Sequence, residues 1–460
     1  MRSPDAIAAS RAPFRPLLAK ELRQIAGGRA LWTMLLLLCP LIGYSFVQAV
    51  SLYGEASRAA MQSPSSASSL SPLDGVLVPT FGAFYVAVTL LFPFVAIRVL
   101  GHEKETGALR LLIQLPYRTP TLIVAKLAAI LAAWLIAALP VFSALAIWRL
   151  LGGHLDAPET LDLLLGHLLY GLLVGAIALF AASITESAAT AAIVTLAFTI
   201  GSWVLDFTAA GRPGFLDWLS RLSLTQTLRP FEQGLLSASL VGGMLVAVAA
   251  FAALAAVWLP TGVSPRAKLA RSLVCVLAAG VVLGATAQLR ASLDVSADRR
   301  NSFPAADERA LRELRAPLIV TVHLAPEDPR YVDLRRNVLA KLERVLPNVT
   351  IRLAGERQSV IGRSAEDSYG IVEYDYDGRL DRSRSTSHRE VLPLLYGLAG
   401  VPPPQPGRGE DYPGHPLVAE ADASLAWFLI GLPLLIIAAW WWSRRPPALN
   451  LMSPRYGEAS

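Results

Sequence analysis

The sequence predicts an α-helical polytopic membrane protein with about eight transmembrane helices and an inserted α/β domain. Hydrophobic residues make up 54% of the 460 residues and charged residues only 17%, and the mean hydropathy is +0.47. This composition is too apolar for an ordinary soluble chain. A helix needs about 20 apolar residues to cross a hydrocarbon core roughly 30 Å thick. Eight segments meet or approach that length: 31–50, 76–98, 122–148, 161–183, 188–208, 238–259, 272–289 and 424–442.

The first 30 residues predict a helix that lies in the membrane interface ahead of the first span. Five apolar residues recur at helical spacing, and basic residues occupy other faces. The five are Phe14, Leu17, Leu18, Leu22 and Ile25. A disordered basic tail is the alternative, but the regular apolar spacing favours an amphipathic helix.

The distribution of basic residues predicts that both termini are cytoplasmic. Of the five lysines, Lys20, Lys104, Lys126 and Lys268 all border segments that an eight-span arrangement with an inside N-terminus places in the cytoplasm. Such flanking positions follow the positive-inside rule. The C-terminal tail, 444–460, would then be cytoplasmic too.

Several connections between spans have patterns of their own. Residues 51–75 are rich in Ser, Ala and Pro and predict a flexible external loop. Residues 182–190 form a very short turn, where Glu186 is more simply a solvated carboxylate than a contact to a partner. Residues 212–237, broken by Pro and Gly, predict two half-helices that return to the outer leaflet.

The last 200 residues add a polar domain between two further spans. A loop and seventh span occupy 260–290, the domain 291–422, and the eighth span 423–443. Because seven spans precede it, the domain is expected outside the cytoplasm. Strands at 317–324, 349–355 and 369–376 and helices at 331–346 and 388–400 predict an α/β fold with some parallel pairing. The Pro-rich and Gly-rich segment 401–416 predicts a semi-rigid stalk, with a peptide-recognition segment as the alternative.

The most informative segment is the charged island Gly101–Lys126, which separates the second and third spans. Charged residues there must lie in water, so the island marks a membrane surface. Its pattern is an E-K-E-x-G stretch at Glu103 to Gly107, a leucine pair, then Pro, Arg and Lys.

This pattern resembles the signature of ABC-2 transporter permeases, although Ala108 stands where that family usually has a small hydroxyl residue. The resemblance implies a short cytoplasmic helix, near Glu103 to Leu112, that docks on a separate ATPase. Glu103 and Glu105 would bind basic groups on the ATPase, Gly107 would permit close approach, and Arg118 and Lys126 would anchor the segment at the lipid surface. The predicted partner-binding residues are Glu103, Lys104, Glu105, Thr106, Gly107, Leu111, Leu112, Pro116 and Arg118, within a coupling segment at 101–120 of a six-span domain at 31–259.

The polar domain resembles the auxiliary extracytoplasmic subunit of gliding-motility-associated ABC transporters. The resemblance is carried by Ala291–Leu314, the strand with Val320 to Val322, the helix that ends at Leu346, and the later YGIVEYDYDGR. In that family the subunit is usually a separate, longer chain beside a six-span permease. The two parts are therefore expected to be fused here.

Several kinds of chemistry are not predicted. The sequence has no G-x-x-x-x-G-K-[ST] loop, so we expect no cofactor in this chain and ATP bound by a partner subunit. The six histidines are scattered, Cys39 and Cys275 fall in spans, and arginines surround Asp375, Asp377 and Asp381, so no metal site is predicted. The net charge is +6, but the basic residues flank the membrane spans. They do not form the single cluster expected for nucleic-acid binding.

The sequence therefore predicts a non-enzymatic permease subunit in a bacterial inner membrane that couples ATP hydrolysis by another chain to transport, with export as the direction the resemblance implies. The expected partners are an ABC ATPase, a second permease copy or paralogue, and the lipid bilayer, with a cell-envelope protein as a further candidate. The alternative is a non-transporting anchor or mechanotransmitter whose external domain binds an envelope partner.

Overall fold

A computed structural model describes residues 14–62, 67–115, 117–209, 223–260, 262–325, 328–353, 369–405 and 412–444. In these ranges the helices are α1 Phe14–Gly27, α2 Arg29–Ala60, α3 Leu73–Glu105, α4 Ala108–Gln114, α5 Thr119–Leu150, α6 Ala157–Ile184, α7 Ala188–Ala209, α8 Leu224–Glu232, α9 Ala238–Trp258, α10 Pro265–Thr286, α11 Ala305–Glu313, α12 over 329–345, α13 His388–Ala399 and α14 Ser424–Ser443. Eight of them are long and apolar enough to cross a membrane: α2, α3, α5, α6, α7, α9, α10 and α14. The predicted membrane fold is confirmed.

Helix α6 is the central helix of the membrane domain, with α3, α5, α7 and α9 packed around it. Gly171 and Gly175 lie one turn apart on its face toward α5, where Trp134 and Ile130 fill the space that a side chain would need. Small residues at this spacing let membrane helices approach closely. Helix α10 is peripheral, with none of its apolar window buried, and packs mainly on α9.

Helix α2 is longer than predicted. It continues to Ala60, so residues 51–60 are helical and the prediction of a flexible loop there is wrong. Its last turns are held by tertiary contacts: the Tyr53 hydroxyl donates to the carbonyl of His415 at 2.6 Å, and the Leu417 N–H donates to the Ser57 hydroxyl at 3.0 Å. Residues 412–416 of the predicted stalk thus pack on the membrane domain.

The region between α7 and α9 is described only from residue 223. It contains one short helix, α8, whose first turn is capped by the Ser223 hydroxyl. The first of the two predicted half-helices falls in 210–222, outside the described residues. After α8, the strand β1 Leu235–Ser237 pairs antiparallel with β2 Ser292–Asp294, which begins the polar domain.

The polar domain has a four-stranded sheet of order β4-β3-β5-β6, with β3 Leu318–Val322, β4 Val349–Leu353, β5 Val372–Tyr376 and β6 Arg379–Ser383. Strands β3 and β4 are parallel and joined by α12, whereas β5 is antiparallel to both β3 and β6. Helices α11, α12 and α13 supply the apolar residues that pack on the sheet, and Gly400 ends α13 at φ 71°. The predicted strands and helices therefore correspond to real elements, and β6 was not predicted.

Candidate coupling site at the end of α3

The predicted coupling segment has a break in its middle. Helix α3 runs through Glu103 and Lys104 and ends at Glu105. Gly107 then adopts φ 74°, a left-handed conformation that glycine accepts without strain, and the short helix α4 begins at Ala108. The predicted helix near Glu103 to Leu112 is thus two helices, joined at Thr106 and Gly107.

Glu103 does not face a partner, which corrects the role predicted for it. It is only 2% exposed, and its two carboxylate oxygens bind Lys126 at 2.7 Å and Lys20. Glu21, on the inner face of α1, binds the same Lys126 at 3.0 Å. These four residues, Lys20, Glu21, Glu103 and Lys126, form a buried ion-pair cluster.

Lys126 was predicted to anchor the segment at the lipid surface, and this prediction is also wrong. Its side chain is fully buried, and its ammonium also donates to the carbonyl of Val99 at 2.8 Å. Its three bonds use all three ammonium donors, as an ammonium in a buried site requires. The cluster joins α1, the end of α3 and the start of α5.

Lys104 also makes an intramolecular contact. Its ammonium donates to the carbonyls of Ala182, Ser183 and Thr185 at 2.6, 3.0 and 2.8 Å. The last carbonyls of a helix lack intrahelical partners and carry partial negative charge. Lys104 therefore caps the C-terminal end of α6 and ties it to the end of α3.

Helix α4 has one buried and one exposed face. Leu109 is buried, and Leu112 and Ile113 pack against the membrane-domain core. Arg110 and Gln114 are exposed, and Leu111 and Leu115 are 68% and 48% exposed. With exposed Glu105 and Arg118 at its two ends, α4 presents two large apolar side chains ringed by charge, a pattern typical of a protein-binding surface.

The outcome for the ten predicted site residues is thus mixed. Glu105, Thr106, Gly107, Leu111 and Arg118 lie on the exposed surface, whereas Glu103 and Lys126 are in the cluster and Lys104 caps α6. Leu112 is part-buried, and Pro116 lies outside the described residues. Sequence reasoning missed Lys20 and Glu21, although a Lys-Glu pair in an otherwise apolar and basic helix was a usable signal.

Helix α6 also carries buried ionisable residues near its N-terminal end. Asp162 is 4% exposed, and neither carboxylate oxygen has a hydrogen-bond partner. His167 is 1% exposed, and its Nδ1 contacts the carbonyl of Leu163 at 3.0 Å. Both residues lie in the N-terminal half of α6, and ionisable groups inside membrane segments are costly to bury.

The other end of α6 contacts the polar domain through residues 292–301, here called the junction loop. The Glu159 carboxylate accepts from the Ala297 N–H at 2.9 Å, and Arg300 pairs with Asp74 at the start of α3. Asn301 donates to the carbonyl of Gln233 at 2.7 Å. The junction loop is thus hydrogen-bonded to three separate parts of the membrane domain.

No cluster suited to a metal occurs among the residues that the structure describes: no group of three or more His, Cys, Asp or Glu side chains converges there. The arrangement at the end of α3 buries an ion-pair cluster and presents a partly apolar exposed surface on α4.

Comparison with known proteins identifies the family of the membrane domain. A family model described as ABC-2 family transporter protein matches residues 15–257, slightly more than half of the chain and nearly all of the region from α1 to α9. Searches of curated proteins and of solved structures found no match. The chain belongs to the ABC-2 family of transporter proteins.

Proposed function

We propose that this chain, a membrane permease subunit of an ABC transporter, is driven by a separate ATPase that docks on α4. ATP is bound by that partner, and its closure on nucleotide binding pushes α4. Glu105 and Arg110 would pair with charged groups of the ATPase, while Leu111 and Leu115 would enter an apolar recess. The exposed face of α4 is the observation that carries this proposal.

The contacts behind α4 support transmission of a displacement. Helix α4 follows the end of α3, which is bound to α1 and α5 by the buried ion-pair cluster and to α6 by Lys104. Separating charged groups that are buried in this way has a large free-energy cost. A push on α4 therefore moves the ends of four helices together, including the central helix α6.

The assembly and orientation follow from the resemblances and the charge distribution. We propose a pair of permease chains, identical or paralogous, with two ATPase subunits in a bacterial inner membrane. Both termini and α4 would face the cytoplasm, and residues 291–422 would lie outside. Export is the direction that the resemblance favours. The polar domain would have the role of the auxiliary subunit of gliding-motility-associated transporters.

Co-purification tests the docking site. The tagged chain is isolated gently from its host and co-purifying proteins are identified by mass spectrometry, comparing wild type with Glu105→Lys/Leu111→Asp. Both side chains are exposed, so the fold should survive. Reversing Glu103 would be a poor test, because it would break the buried cluster. We expect a stoichiometric ATPase with wild type and a loss of at least about tenfold in the variant.

The matched control is Glu390→Lys/Val401→Asp, which reverses one glutamate and replaces one apolar side chain by aspartate at exposed positions of the polar domain. It should retain the ATPase. Equal recovery of the ATPase from both double variants would refute docking on α4. If no ATPase co-purifies with wild type and an envelope protein is retained, the result would favour the alternative function, a non-transporting membrane anchor.

A further inference from the structure

A cleft of about 360 Å³ lies between α1, the start of α2 and the end of α3. Its polar walls are Arg23 and Gln24 on α1 and Arg98 and His102 on α3. The Gln24 amide donates to the carbonyl of Arg98 at 3.5 Å, which joins the two walls. The cleft is beside the ion-pair cluster but shares no residue with it.

The cleft has an excess of positive charge. No Asp or Glu is among the described residues that line it. The acidic residues closest in sequence to the lining residues are Glu21 on α1 and Glu103 on α3. Both are already paired with lysines of the ion-pair cluster. Within the described part of the chain, the guanidinium groups of Arg23 and Arg98 make no hydrogen bond or ion pair, so they are free to bind an anion.

The surface of α3 continues from the cleft as an apolar stripe. Leu90, Phe94, Arg98 and His102 follow one another at intervals of four residues, which places them on one face of the helix. Leu90 and Phe94 are 39% and 47% exposed. The face is therefore apolar along the span and cationic at its end, matching the order of acyl chain and headgroup in a phospholipid.

We propose that this cleft binds the headgroup of an anionic phospholipid, with the phosphate between Arg23 and Arg98 and an acyl chain along Leu90 and Phe94. The volume suits a headgroup and is too small for a whole lipid. Paired arginines match the oxygens of a phosphate. This inference depends on the membrane location of the chain and not on its docking to an ATPase. A bound lipid would link α1 to α3 at the point where the coupling site begins.

Native mass spectrometry of the purified full chain tests the proposal. Phosphatidylglycerol or phosphatidylcholine is titrated into detergent micelles, and bound lipid is counted for wild type and Arg23→Gln/Arg98→Gln. The control is Arg266→Gln/Arg271→Gln, which removes the same charge from exposed positions at the start of α10. We expect preferential retention of phosphatidylglycerol, weakened about tenfold or more in the cleft variant and unchanged in the control.

A second variant blocks the cleft without changing its charge. Gly27 lines the cleft, and a Cβ at this position would meet no atom within 4 Å, so Gly27→Leu should fold and reduce lipid retention. Equal phosphatidylglycerol binding by the cleft variant, the control and wild type would overturn the proposal. Competition by glycerol phosphate as strong as that by the lipid would also overturn it, since the site would then serve a soluble phosphate.

Discussion

At the residue scale, the cluster shows why charged residues in one motif can have different roles. Glu103 and Glu105 are separated by a single residue and look equivalent in the sequence. Glu103 faces α1 and α5, where two lysines bind it, and Glu105 is exposed at the end of α3. Positions two apart on a helix point about 200° apart, so only one of the two can face the core.

Replacing Lys126 should be strongly destabilising. Lys126→Met would leave Glu103 and Glu21 with Lys20 as their only cation, and removing one partner of a buried ion pair costs about 3–5 kcal/mol. Adding Glu103→Gln and Glu21→Gln should restore much of the loss, because the stranded negative charge is then removed. The measurement is the apparent thermal unfolding midpoint in detergent, with exposed Arg118→Met as the control. A Lys126→Met midpoint as high as that of the control would contradict this view of the cluster.

Lys341 should give the polar domain a pH-dependent stability. It is 5% exposed, and burial, followed by the nearby Arg344, lowers the pKa of Lys341 from 10.5 to about 8. Between these values the unfolded chain binds the proton and the folded chain does not, so stability rises with pH, by at most about 1.4 kcal/mol per pH unit. Thermal midpoints from pH 7 to 10 should show a steeper rise in wild type than in Lys341→Met. Parallel curves would exclude this contribution.

At the element scale, the link between α3 and α4 depends on one backbone conformation. Gly107 has φ 74° and open space around it. Substitutions at this position are therefore restricted by the backbone conformation and not by the space for a side chain. We expect Gly107→Asn to be tolerated and Gly107→Val to lose coupled ATP hydrolysis, because β-branched residues avoid left-handed backbone. Gly280 also has open space around it but does not have a positive φ, so Gly280→Val should leave coupled ATP hydrolysis unchanged. Coupled ATPase turnover is measured, and equal activity of the two valine variants would show that the turn is not required.

The elements that could be predicted are those with a strong local signal. Apolar runs indicated all eight spans, and alternating apolar residues indicated β3 and β5. Strand β6 has no such signal, since Arg379–Ser383 is almost wholly exposed and pairs with β5 through its backbone after a turn in which Asp377 and Gly378 both have positive φ. The pairing within the ion-pair cluster could not be predicted for a different reason: the bonded residues Glu21 and Lys126 are 105 residues apart in the chain.

At the scale of the whole molecule, the coupling site and the junction loop lie at opposite ends of α6. Lys104 caps the C-terminal end of this helix, and Glu159, in its first turn, accepts from the backbone of the junction loop. Because α6 is central to the membrane domain, one rigid helix connects the surface proposed for the ATPase with the polar domain. We therefore expect a displacement at one end of α6 to shift the other end.

This arrangement predicts that α4 and the polar domain lie on opposite sides of the membrane. Five spans, an odd number, separate α4 from the polar domain: α5, α6, α7, α9 and α10. The flanking lysines favour α4 in the cytoplasm. Cys39 and Cys275 are replaced by Ser, and single cysteines are placed at exposed Leu115 or Val401. A membrane-impermeant maleimide should label Val401→Cys in intact spheroplasts, and Leu115→Cys only after permeabilisation. Labelling of both sites from outside would refute this topology and, with it, docking of a cytoplasmic ATPase on α4.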